Sequence, residues 1–357
     1  MKCTKTDDLK RSSNWYKFGM LTGALLLATV AGCSKYSSED VVLTPTPTIT
    51  AGPAPTLEPT PTPAPFRMPL TGLPATELMQ TRPVLITVEN SPPARPQSGL
   101  NHADIVYEVL AEGEITRFLA IYQSQSVETI GPVRSMRPYF VQIGDGYDAV
   151  LVHAGWSPDA MAMMQQKKSN HLDQVYGDDQ FYWRSNERKA PHNLYTSTAK
   201  IQEGVVKRKF RQDWNVQSLN FASENTKMFL DQSGQSVEIP YLMGYTVSYE
   251  YDVTNRLYKR SMLGKPHLDK ETSEQLTTKN LLIIEANHKV LDNEGRRDVD
   301  VLGPGKGIIL QEGRAQNITW ERHDGIIRAY LNGKEIPLLP GNTWVQIVPT
   351  GTKVKIE

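Results

Sequence analysis

Two arginines three residues apart, Arg134 and Arg137 in the stretch IGPVRSMRP, are the side chains best suited here to hold an anion. Guanidinium groups carry a fixed charge and paired N–H donors that match carboxylate, phosphate or sulfate oxygens. If Pro132 starts a helical turn, residues 134 and 137 fall on one face, where free N–H groups and the helix dipole add to the attraction. The same charges are equally suited to internal pairing with Glu89, Glu108 or Glu112, and spacing alone leaves both uses open.

The carboxylates pose the converse question. Glu108, Glu112 and Glu114 share a parity, so on one strand they would project to one face. Two carboxylates can work as general acid and base, but residues four apart on a strand sit roughly 13 Å apart at the backbone. An acid–base pair at glycosidase-like separation would therefore need a partner from a neighbouring strand. Ion pairs to Arg117, Arg134 or Arg137 are the simpler use.

His153 closes an apolar stretch just before a Gly-Trp turn, the crevice position where α/β proteins seat ligands. Further on, RSNERKAPHN brings Arg184, Arg188, Lys189 and His192 together as a second cationic cluster. His267 and Asp269 in KPHLD, with His288 and Asp292, are weak candidates for a metal. Divalent sites need three or four convergent ligands, and neither H-E-x-x-H nor a calcium loop occurs, so neither metal nor other cofactor is expected. The glycines of GPGKG precede a strand instead of opening a helix, which makes a turn and not a phosphate cradle. No G-x-S-x-G elbow, Walker motif or C-x-x-C is present, so no catalytic residue is assigned and enzymatic activity is left open.

These residues must be positioned by strands and helices. RPVLITVEN, ADIVYEVLAEG (103–113), TRFLAIYQS (116–124) and YDAVLVHAG (147–155) are rich in β-branched and aromatic residues and read as strands. Helices are expected at MRPYFVQIGD, at SPDAMAMMQQKK, where Ser157 can cap, Pro158 can occupy the first turn and Asp159 can face the dipole, and from Ser197 to about Phe210. After about Asp231 the pattern becomes mainly β, with turns at DG (324–325), NG (332–333) and PG (340–341), a hairpin over 247–262, and strands at 281–290, ITWERH, IIRAYL and TWVQIVP. The expected fold is an α/β N-terminal domain of layered sheet and helices over 66–230, followed by a smaller, mainly β C-terminal domain over 231–357.

The ends fix the compartment. A basic leader with Lys2, Lys5, Lys10, Arg11 and Lys17 precedes the 13-residue apolar run FGMLTGALLLATV and the tetrapeptide VAGC. That run is short of the roughly 20 residues a membrane span needs. The pattern is a lipoprotein signal peptide over 1–32, with Cys33 as the acylated N-terminus after cleavage. The remaining cysteine, Cys3, leaves with the leader, so no disulfide is expected. Residues 33–65 form a Pro/Thr-rich tether that favours polyproline II. Without the leader, 34 Lys and Arg face 37 Asp and Glu, so no electrostatic pull toward nucleic acid follows.

TRPVLITVEN, ARPQSGLNHADIVYE, AEGEITRFLAIY, IGPVRSMRP and RKAPHN, in that order, resemble the YerB-like lipoprotein family of Gram-positive bacteria. The resemblance implies a two-domain extracytoplasmic protein held at the cell membrane by lipid on Cys33, and it brings no established activity. From residue chemistry, the expected role is binding of an anionic cell-envelope ligand, such as a cell-wall polymer, or a partner protein through a polar cleft drawn from Arg134, Arg137, His153, Arg188, His192, Glu108, Glu112 and Arg117. An envelope hydrolase using Glu108 or Glu112 with His153, and a scaffold for other envelope proteins, are the rival expectations.

Overall fold

The computed structural model describes residues 65–113, 115–214, 219–223 and 230–357. The signal peptide, Cys33, most of the tether and Glu114 lie outside the described residues.

The strands that matter for function begin with β1 (Val84–Glu89), β2 (Ile105–Leu110) and β3 (Thr116–Tyr122). Helix α1 (Pro138–Gly146), β4 (Val150–His153), helix α2 (Pro158–Lys167) and β5 (His171–Asp173) follow. A small hairpin of β6 (Trp183–Arg184) and β7 (Leu194–Tyr195) then leads to helix α3 (Thr198–Lys207). The second half contributes β8 (Ser236–Pro240), β9 (Thr246–Asp252), β10 (Leu257–Met262), β11 (Asn280–Ala286), β12 (Gly305–Gln311), β13 (Arg314–His323), β14 (Ile326–Leu331) and β15 (Thr343–Pro349).

One twelve-stranded sheet runs through both halves in the order β14-β13-β12-β11-β15-β2-β3-β1-β4-β5, with two short strands completing it. The join is β15, which lies parallel to β11 on one side and parallel to β2 on the other. All but the last of its residues are buried, as expected of a strand covered on both faces. The join also brings Gln346 beside Glu108 and Trp344 beside Val106.

The large sheet is the middle of three layers. On one face α1 and α2 bury Tyr139, Phe140, Ile143, Ala160 and Met164 against Leu85, Leu119, Leu151 and Ile347. On the other face α3 and a smaller antiparallel sheet built around β8, β9 and β10 cover Val88, Phe118, Leu172 and Trp344. The second half also reaches α1 directly. The Asp324–Gly325 turn abuts Gly146, and Arg322 donates to Gln142 O at 2.7 Å.

Local chemistry explains the helix starts. Ser157 accepts from Ala160 N with Pro158 in the first turn of α2, and Ser197 accepts from Lys200 N at 3.1 Å at the start of α3. α3 ends at Lys207, short of Phe210. The expectation for IGPVRSMRP is corrected: the segment is extended, and α1 begins only at Pro138. Its backbone is held on both sides, Arg134 N donating to Thr87 O (2.9 Å), Val133 N to Leu194 O (2.7 Å) and Ala154 N to Arg134 O (3.0 Å). The strand through Glu108 is also shorter than expected. It stops at Leu110, so Glu112 belongs to the following turn and does not share a strand face with Glu108.

Candidate functional site

At the ends of β1 and β4, which run parallel, the extended segment 130–136 and the β6–β7 hairpin loop converge on Glu89. Glu89 is the last residue of β1 and pairs in register with Arg117 on β3. Its side chain is only 4 % exposed, and Oε1 accepts from Ser91 Oγ at 2.5 Å and from His192 Nδ1 at 2.9 Å, with Arg134 Nε at 3.5 Å. Ser91 Oγ also lies 3.4 Å from His192 Nδ1. Glu89 Oε2 is buried without a hydrogen-bond partner.

Arg134 is 27 % exposed and His192 24 %. Among the described residues, the terminal amino groups of Arg134 and Nε2 of His192 have no hydrogen-bond partner. Both therefore present uncommitted polar groups above a buried carboxylate.

Arg137 answers differently. It donates through Nε to Glu112, which also takes Arg117 Nη2 at 2.6 Å, while Arg117 Nη1 donates to Ser135 O at 2.9 Å. Burial, with Arg137 and Arg134 nearby, pulls Arg117 down to about 10 in spite of Glu112. Burial works to raise Glu112, but Arg117 and Arg137 outweigh it and hold the carboxyl below its ordinary range. Arg117, Arg134 and Arg137 thus share Glu89 and Glu112, three fixed cations against two carboxylates.

Other expected site residues are engaged elsewhere. His153 is fully enclosed, and its Nδ1 donates to Gly155 O at 3.0 Å. Its approach to Asp173, 3.8 Å, is not an ion pair: burial, then His171, lowers the imidazole to about 3, and burial raises Asp173. An apolar strand end leading into a turn marks a crevice only if the turn leaves it open, and here Trp156 and His171 close over the ring. Arg188 reaches back to Ala94 O, Pro96 O and Tyr195 OH, clamping the loop after β1.

Glu108 lies in the interior, 0 % exposed, 2.9 Å from Arg260 on β10, which is also 0 % exposed. Arg260 further donates to Tyr249 OH (2.9 Å), Tyr245 OH (3.2 Å) and His267 Nδ1 (3.0 Å), and its guanidinium stands 4.9 Å from the centre of the Trp344 ring. Burial alone would lower the Arg260 pKa, but Glu108, Tyr249 and Tyr245 raise it above the usual range. Glu108 Oε1 is satisfied by Thr116, Tyr245 and Asn90. His267 has both ring nitrogens engaged, by Arg260 and by Gln97 Oε1 at 2.7 Å, and Asp269 accepts from Glu271 N in a turn. Among the described residues, no group of three or more His, Cys, Asp or Glu side chains converges around either.

An open cleft of about 840 Å³ lies at the opposite end of β1, lined by Gln80, Gln123, Gln202 and Gln212 among others. Its one arginine, Arg82, is committed to Asp148 and Asn170. That cleft lacks converging free cations, so the Arg134–His192 cluster over Glu89, whose exposed donors form the mouth of the site, is the better candidate.

Spacing in the sequence carried no signal for Ser91, Gln97 and Arg260. Each has at least one partner more than a hundred residues away.

Two family models match the chain, "Protein of unknown function (DUF3048) N-terminal domain" over residues 70–211 and its C-terminal counterpart over 237–345. The protein named "Putative lipoprotein YerB" of Bacillus subtilis (strain 168) is 39% identical over 287 residues, 79% of this chain and 86% of that protein. A crystal structure of the YerB protein from Bacillus subtilis matches with a TM-score of 0.75 at 38% identity, covering 81% of this chain and 99% of that one. Among the described residues no helix is long and apolar enough to cross a membrane.

Proposed function

The chain belongs to the YerB-like DUF3048 family, and on that premise we propose that it is a lipid-anchored extracytoplasmic protein whose Arg134–His192 mouth binds an anionic group of a cell-envelope polymer. The anchor is lipid on Cys33. The signal-like leader ending in VAGC supports this, as does the lipoprotein name of the relative. The Thr/Pro tether gives the folded part reach away from the bilayer.

One observation carries the ligand class: three guanidinium groups share two carboxylates, and the most exposed of them, Arg134, keeps its terminal donors free. The surplus cation is partly desolvated, so an arriving phosphate or carboxylate gains a charge-assisted hydrogen bond and relieves repulsion among the arginines. His192 adds a second polar atom at the rim through Nε2.

A hydrolase finds less support. Glu108 and His153 are both 0 % exposed. Ser91 and Glu89 meet the same nitrogen of His192, whereas a histidine that activates a nucleophile uses the nitrogen opposite its carboxylate.

Retention of the mature, full-length protein on purified wall fractions tests the proposal. Arg134→Ala should lower retention about tenfold or more, the size of one lost charged hydrogen bond. Equal retention of the two proteins would count against the mouth. Loss of wild-type retention after protease treatment of the fractions would replace the polymer with a protein partner.

A further inference from the structure

Glu89 and Asn90 are neighbours in the chain, yet their side chains serve different clusters. Glu89 enters the arginine–histidine mouth, while Asn90 donates to Tyr245 OH (2.8 Å) and Thr116 Oγ1 (2.7 Å), with Glu108 Oε1 3.3 Å away, in the buried network. Any force that fixes Asn90 therefore fixes the backbone that aims Glu89.

The hydrogen bonds that hold this dipeptide have a definite direction. Arg260 Nε has only a proton to give, so His267 Nδ1 must accept it at 3.0 Å. Burial, then Arg260 and Arg95, hold the His267 pKa well below its ordinary value, so the ring is neutral and its one proton sits on Nε2. Nε2 then donates to Gln97 Oε1 at 2.7 Å, which turns the Gln97 amide nitrogen toward Glu89 O (2.8 Å) and Asn90 Oδ1 (2.9 Å). Arg95 completes the hold by donating to Asn90 O at 2.6 Å. Gln97 is 1 % exposed and His267 3 %, so water does not substitute for either partner.

We infer that Gln97 and His267 are positioning residues for the Glu89 site, through which His267 of the C-terminal half sets the geometry of a binding site in the N-terminal half. This deepens the ligand reading above and rests on it for its functional consequence. The structural part stands independently, because neither Gln97 nor His267 has a hydrogen bond or ion pair to Arg134 or His192.

The chemistry of His267 provides the test. Asparagine places its amide near Nδ1 and can still accept from Arg260 but does not reach Gln97; glutamine places its amide near Nε2 and can still donate to Gln97. Both shorten the ring to an amide, so a merely structural role would weaken the two variants alike. The experiment follows the His192 ring nitrogens by NMR in the mature protein and titrates each variant with inorganic phosphate. Gln97→Met and His267→Asn should shift the His192 ring signals and weaken phosphate binding about tenfold, as losses of outer-shell hydrogen bonds commonly do. His267→Gln should stay near wild type on both counts. Unchanged His192 signals in Gln97→Met, or equal behaviour of His267→Asn and His267→Gln, would overturn the positioning role. Should wild type fail to bind phosphate, the ligand reading falls while the ring signals still decide whether the relay exists.

Discussion

Replacing Arg260 with methionine keeps most of the apolar stem but removes the charge that faces Glu108 in a site where both residues are 0 % exposed. Glu108 retains donors from Thr116, Tyr245 and Asn90 but no cation in direct contact, Arg95 acting on it only from a distance. Breaking a buried ion pair from one side costs about 3 to 5 kcal/mol, a large part of the roughly 5 to 15 kcal/mol that holds a domain folded. In urea, with a slope of about 3 kcal/mol per molar for a chain of this size, the midpoint should fall by about 1 to 1.7 M. The assay is equilibrium unfolding followed by tryptophan fluorescence. Trp344 packs against the Arg260 guanidinium and Trp320 lies in the core on the opposite face, so the transition is read on both sides of the large sheet. Glu108→Gln combined with Arg260→Met should recover at least about 2 kcal/mol relative to the sum of the single changes. If Arg260→Met stays within about 0.5 kcal/mol of wild type, or the pair is additive, the network does not join the two halves energetically.

Three further outcomes follow from the same structure. A fragment ending near residue 230 should fail to fold, because β2 loses β15 and Glu108 loses Arg260; far-UV circular dichroism and a cooperative melt would show otherwise. His153 has a folded pKa of about 3 against an ordinary 6.5, so between those values the unfolded chain holds the extra proton. Its contribution is complete above the unfolded value and is lost as pH falls toward 3, at up to about 1.4 kcal/mol per pH unit. His153→Asn, which can still donate to Gly155 O, should flatten the acid side of the stability profile, and an unchanged slope would refute the assignment. Gly146→Ala would drive a methyl group into the Gly325 backbone, where no flexible side chain can yield, and should cost about 1 to 3 kcal/mol by thermal melt; a wild-type melting temperature would show that the turn moves aside cheaply.

Local signals were legible in the sequence because their causes are local. Ser157 and Pro158 begin a helix through atoms within three residues, and Asp324–Gly325 and Asn332–Gly333 adopt the left-handed conformations their chemistry favours. The two-half organisation and the sheet-rich second half were legible for the same reason. The placement of TWVQIVP was not: an apolar run announces a buried strand, but its neighbours β11 and β2 are set by surfaces far apart in the chain. The site divides along the same line. Pairing of Arg134 with Glu89 and of Arg137 with Glu112 was among the expected uses, whereas Glu108 is claimed by Arg260, a residue whose strand pattern resembles that of any exposed edge. His153 shows the limit of reading a crevice from strand position, because closure depends on Trp156 and His171, which the strand itself does not specify.

The most direct measurement of the central claim is the NMR signal of the Arg134 side-chain Nε–H in the mature protein as inorganic phosphate is added. Saturable movement of that signal together with the His192 ring, with the His192 response lost in Arg134→Gln, is the expected result. Movement confined to other arginines, or none at any concentration that leaves the fold intact, would contradict it.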